Sequence, residues 1–438
     1  MSKYSLSALV AAGLLASGMS VSSASAADLG GNCCADLEER IAELEATTAR
    51  KGNRKVSLTV SGWVGQQVTW WDDGGESNVY VNDLGTTLAS HVKFTGQAQI
   101  LPGWTAGYVL HLEAVGSDSL TMSQGQPDGP SVLTGTNNGV GTLQSFWFIK
   151  SDQLGKVSVG KQSQASDNTA ILVDGSGSLV PANWVDFDIN GFFVRNRTTG
   201  ALTSMNWGTA GGGVWGDNNG APTNSVRYDS PTFAGFSASA SWGEDDFWDV
   251  AARYAGEWAD FKVAAAAAYS QTNSTSGDSG NVIQPPDTGY FQVGAYIEHI
   301  PTGLFAYGAY GHLNYYNNAY GGLASNNTWY AKGGIRQRWN PLGHTVFYGE
   351  YERAQNHNSS TAFFNPDGTI DMGDNGAGAA FVGESEVRMW GVGAVQEIDA
   401  AAMSLWVKYR NVDASTSGIN AFDTDTFQEV TAGALINF

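Results

Sequence analysis

Only two cysteines occur in 438 residues, Cys33 and Cys34, and they are adjacent, so no disulfide framework can staple a core. Positive charge is also scarce. Lys and Arg number 22 against 42 Asp and Glu, and a net charge of -20 excludes nucleic acid as a partner. After the first residues no apolar run reaches the length of a membrane helix, which excludes a helical membrane protein. The six histidines, His91, His111, His299, His312, His344 and His357, show no compact metal-ligand spacing and accompany no G-x-S-x-G motif. Neither a hydrolase nor a metalloenzyme is expected, and no cofactor.

The chain does have a leader. Lys3 precedes the apolar residues Leu6–Val10 and Ala11–Leu15, and Ala24-Ser25-Ala26 forms a cleavage pattern. Residues 1–26 read as a signal peptide; the run is too short for a lone anchor. The segment 27–55 follows. Within it, Leu37, Ile41, Leu44 and Thr48 alternate at spacings of four and three, which predicts a short periplasmic helix over 36–50. That helix could join subunits as a coiled coil or fold back on the domain. Asn32 before Cys33 does not suit a lipid anchor, whereas pairing between identical chains stays open.

From residue 56 to 438 the period is two. In HVKFTGQAQI, Val92, Phe94, Ala98 and Ile100 share one face, with Lys93, Thr95, Gln97 and Gln99 on the other. Turns such as Leu101-Pro102-Gly103 and Pro301-Thr302-Gly303 alternate with long polar connections, of which 165–224 is the longest. Short turns at one end and long loops at the other predict an all-β transmembrane antiparallel β-barrel of sixteen strands. A soluble sandwich would need polar outer faces, and nearly every strand here is half apolar. Aromatics near strand ends, among them Trp70, Trp104, Trp258, Tyr307, Trp329, Trp339, Tyr351 and Tyr409, fit membrane-interface girdles.

Opposite the apolar face the strands carry a basic series: Arg227, Arg253, Lys332, Arg336, Arg338, Arg388, Lys408 and Arg410. Charges facing hydrocarbon are costly, so a water-filled lumen is their expected place, as pore wall or in lumen salt bridges. The excursion 165–224 is too long to be structureless without a purpose. Its Asp167, Asp174, Asp186, Asp188 and Asp217, with Trp184, Phe187 and Ile189 between them, suit a loop folded into the lumen. Acidic and basic walls facing each other would limit size and orient solutes.

The start DLGGNCCADLEERIAELEATTARKGNRKVSLTVSGWVGQQVTWWDDG and the stretch NSVRYDSPTFAGFSASASWG resemble the porins of alphaproteobacteria, the rhizobial and Brucella-type group. The terminal Phe438 resembles the assembly signal of outer-membrane barrels. The resemblance implies a homotrimeric porin in the outer membrane, in contact with lipid and lipopolysaccharide and inserted by the barrel assembly machinery. It implies passive diffusion of small hydrophilic solutes past an inward third loop. On this chain that loop starts after Gln164 and carries Asp174, Asp186 and Asp188 at the constriction, opposite wall arginines of which Arg227 lies inside the matching stretch. A substrate-selective channel for sugars or an anion is the alternative, and a plugged adhesin-like barrel a third reading.

Overall fold

The computed structural model describes residues 55–129, 139–213, 215–244, 246–273, 287–316, 325–361, 363–364, 370–371, 380–418 and 421–438. The expected signal peptide, Cys33, Cys34 and the helix expected over 36–50 lie outside them.

Sixteen antiparallel strands close into one barrel. The first five are β1 (Thr59–Asp72), β2 (Ser77–Asn82 continued by His91–Leu101), β3 (Trp104–Val115), β4 (Gly139–Ser151) and β5 (Gly155–Gln162). After a long loop come β6 (Thr223–Asp229), β7 (Phe236–Gly243), β8 (Trp248–Trp258), β9 (Phe261–Thr272) and β10 (Thr288–His299). The set is completed by β11 (Leu304–Tyr315), β12 (Ser325–Asn340), β13 (Gly343–Thr361), β14 (Ala380–Ile398), β15 (Met403–Ser417) and β16 (Phe427–Asn437). The two parts of β2 run in the same direction along β1, Ser77–Asn82 beside Asp72–Gln67 and His91–Thr95 beside Trp63–Thr59. They therefore make one strand interrupted by an inward excursion at 83–90, within a connection that the sequence presents as a polar loop.

Closure is made by the chain ends. β16 pairs with β1 from Gln428↔Asp72 to Asn437↔Trp63. Beyond that register Phe438 exchanges both backbone hydrogen bonds with Gly62, each 3.0 Å. A barrel without edges satisfies every ladder group, which hydrocarbon demands. The short turns lie at the end expected to be periplasmic. Between β8 and β9, Ala259 and Asp260 both hold positive φ, 46° and 68°, the form of a two-residue turn matched to strand twist. At Gly303, φ is 65° and a side chain would strike the Arg336 carbonyl, so only glycine serves.

Outward positions are apolar: Val430, Ile436 and Phe438 at the closing strand, Val64, Val68 and Trp70 on β1. Tyr307 is an exception to the expected girdle. It points inward, buried, and its hydroxyl donates to the Ala170 carbonyl at 2.8 Å. The interior is not uniformly polar either. Inward Trp71, Val346, Val387, Met389, Val412 and Phe427 pack with Trp184, Ile189, Phe192, Met205, Trp207 and Trp215 of loop 163–222 into one apolar cluster inside the barrel.

Candidate functional site

Loop 163–222 fills the middle of the lumen, and wall side chains hold it along its length. As it leaves β5, Arg227 donates to the carbonyls of Ser163 and Gln164 at 2.8 and 3.0 Å. Arg253 donates to the Ala165 carbonyl at 2.5 Å and the Thr169 hydroxyl at 3.0 Å. Asp249 accepts from the Ser166 amide at 2.6 Å, and Gln292 donates to the Ser166 carbonyl at 2.9 Å. The two arginines thus satisfy carbonyls that the loop's irregular backbone leaves without ladder partners.

Further along, the loop crosses to β12–β16. Lys332 meets Asp174 at 2.5 Å and donates to the Ala182 carbonyl at 2.7 Å. Arg410 is bonded to Asp186 and, through Nε and Nη2, to Glu350 at 2.9 and 3.1 Å. Lys408 is bonded to Asp188 and lies 3.3 Å from Glu429. Gln67 on β1 also donates to Asp188. All eight charged residues in these contacts are buried. Three loop acids therefore meet three wall bases, in direct contact. They do not face each other across a water-filled gap, because the apolar packing around Trp184 and Ile189 draws the loop onto the wall.

The exit of the loop is fastened as well. Arg195 grips Asp73 with Nε and Nη2 at 3.0 and 2.8 Å. Burial alone would raise the Asp73 carboxyl, but hydrogen bonds from Arg195, Gln124 and two backbone amides hold it below the usual range. A one-turn helix, α1 (Trp207–Gly211), is capped by the Asn206 side chain accepting from the Thr209 amide at 2.7 Å. Its C-terminal carbonyls are taken by Asn356 and Ser385 of β13 and β14 at 2.8 and 2.6 Å. Near the loop's end, Asp217 is pushed up to about 7 by burial, partly offset by a hydrogen bond from Gln292. Asp167 is also raised, by burial and then by the charge of Asp217.

Three of the expected wall cations lie elsewhere. Arg388 points outward, because on β14 the inward face is the apolar one: Val387 and Met389 are fully buried against the loop. Arg388 and Arg353 share the carboxylate of Glu386 at 2.8 and 2.6 Å on the outer face. Trp390, Tyr351 and Trp329 stand exposed on the same face of neighbouring strands, the composition of an interfacial belt. Arg338 sits at the periplasmic rim, half-exposed and 2.5 Å from Asp399. Arg336 does face inward, but below the loop, where its Nε and Nη2 grip Glu397 at 2.9–3.0 Å.

The wall acids were missed by the sequence reading. Glu350, Glu429 and Asp249 complete the loop's clamps, and the signal for the first was present: the alternation that turns Tyr351 outward turns Glu350 inward. Among the described residues no three His, Cys, Asp or Glu side chains are grouped to hold a metal ion.

Solved barrels share this architecture. An anion-selective porin from Comamonas acidovorans aligns with a TM-score of 0.53 at 14% identity, over 87% of this chain and 100% of that one. In-vitro folded OmpT, an outer membrane protein of Vibrio cholerae, gives 0.50 at 12% identity, over 89% and 99%. Its trimer form also gives 0.50 at 12%, over 87% and 99%. At these identities the likeness is one of fold. No curated protein matches the sequence. The sequence profile of the Gram-negative porin, by contrast, matches residues 8–435, nearly the whole length. An inward-clamped loop in a closed barrel and that match lead to one assignment: the chain belongs to the Gram-negative porin family.

Proposed function

We propose that solutes pass this porin beside a clamped loop, along the inner face of β2–β6. Membership of the family makes the protein an outer-membrane channel for passive diffusion of small hydrophilic solutes. The observation that carries the finer reading is a contrast between two sides of the lumen. At the level of the loop, the inward Lys332, Glu350, Lys408, Arg410 and Glu429 of β12–β16 are buried in its contacts, whereas Gln97 is exposed, and Lys156, Arg227 and Asp229 keep side-chain exposures of 28%, 17% and 22%. Polar, wetted side chains on one wall suit a water path; a buried ion-pair cluster on the other suits a rigid boundary. In this reading Asp174, Asp186 and Asp188 set pore size by anchoring the loop, and Arg227 stands at the path itself.

The protein works as a homotrimer, a state supported by the trimer form of the Vibrio cholerae neighbour. Its apolar outer face contacts lipid, and the Arg353–Glu386–Arg388 belt lies where lipopolysaccharide headgroups would be met. Phe438, 59% exposed on the closing strand, is available to the barrel assembly machinery. The kinship with the alphaproteobacterial group rests on the two quoted segments.

Planar-bilayer recording of the purified protein tests the reading. Ohmic conductance in steps of three is the expected result, reduced when Gln97 is replaced by Trp and unchanged when Trp replaces outward Val226. Equal conductance of both variants would overturn the proposed path.

A further inference from the structure

Beneath the loop, on the periplasmic side, lies a cavity of about 400 Å³ that the diffusion reading leaves unused. Its roof is the underside of the loop, where Leu179 and Val180 are apolar yet half-exposed to the cavity. Its side wall includes Trp406, whose indole lies over Gly433 so closely that any side chain there would collide with it. The lining also carries charged side chains. Lys262 lies 3.7 Å from Glu298, Arg336 is bonded to Glu397 through Nε and Nη2, and the Glu257 side chain makes no hydrogen bond or ion pair among the described residues. Asp174 also borders the space but is neutralised by Lys332. Three carboxylates, Glu257, Glu298 and Glu397, thus stand against two cations, Lys262 and Arg336, an excess of one negative charge.

We propose that this vestibule is a binding subsite for organic cations that carry an apolar group, such as an amine or quaternary ammonium on an aromatic body. The proposal rests on the channel reading above and names a class of solute for it. The apolar group replaces water against Leu179, Val180 and Trp406. The cationic end is held by the carboxylate excess centred on Glu257. An anion meets more carboxylates than cations here, and the fork of Nε and Nη2 on Arg336 is already taken by Glu397. Small-molecule sites are characteristically concave and mostly apolar with a few placed charges, which describes this cavity.

The test is current block in planar bilayers, with the probe added to the side of the short turns. Benzyltrimethylammonium is expected to interrupt the current in a saturable manner, tetramethylammonium much less, and benzoate not at all. Glu257→Gln should weaken the benzyltrimethylammonium block by a factor on the order of 2–5, the worth of one exposed charge contact. Leu179→Ser with Val180→Ser should reduce the preference for the benzyl over the methyl probe. A conducting channel that benzyltrimethylammonium does not block, or that benzoate blocks equally, overturns the subsite and leaves the channel standing. A folded barrel without current overturns the channel reading, and the subsite with it.

Discussion

Arg410 concentrates the risk of a buried ion pair in one side chain. It answers Asp186 from the loop and Glu350 from the wall, and all three are withdrawn from water. Removing it leaves two carboxylates unpaired, at a cost of about 3–5 kcal/mol. Arg410→Ala is therefore expected to lower the thermal midpoint and give larger, noisier single-channel steps as the loop detaches. Quiet steps of native size would show that apolar packing alone holds the loop. Asp217 gives a second prediction, in pH. Folded, it keeps its proton to about 7, while an unfolded carboxyl loses it near 3.8. The folded state then binds more protons across that window, so stability falls as pH rises through it and levels off above. The thermal midpoint should decline between these pH values in the native protein, and Asp217→Asn should flatten that decline.

Loop 163–222 behaves as a small folded unit, with its own helical turn, a hairpin of Phe193–Arg195 with Leu202–Asn206, and buried tryptophans. Trp184→Ala should cost about 3–5 kcal/mol through the cavity it leaves, and proteases should then cut within the loop while sparing the strands. Intact digestion resistance would argue against that packing. This unit also explains what the sequence made legible. Alternation located the barrel strands because each outer face meets lipid, an environment that does not vary around the barrel. The inner face meets water in one sector and protein in another. Where protein lies behind it, as at Val387, Met389 and Tyr307, inward residues become apolar or aromatic and the rule separating the faces inverts. Arg388 was misplaced for that reason. Lys408 and Arg410 face inward, since exposed Val407 alternates with them on β15. That acids and bases would touch could not be read from spacing, because Arg410 and Asp186 lie 224 residues apart.

At the scale of the whole molecule, pairing decides what charge an ion meets. Asp174, Asp186 and Asp188 are each paired with a wall cation, but Arg410 and Lys408 also serve Glu350 and Glu429, so carboxylates outnumber cations in this cluster. The periplasmic vestibule keeps one carboxylate in excess. A modest cation preference is the expected sign of the reversal potential under a salt gradient, reduced by Glu257→Gln. A clear anion preference would mean that Arg227 and Lys156 dominate the path. The clamps also fix an order of events. The loop belongs to the first half of the chain, yet Lys408 and Glu429, which complete the anchorage at Asp188, arrive on the last two strands, and Gln67 meets them only when β16 joins β1. The anchorage at Asp188 is therefore complete only once the seam between β16 and β1 has closed.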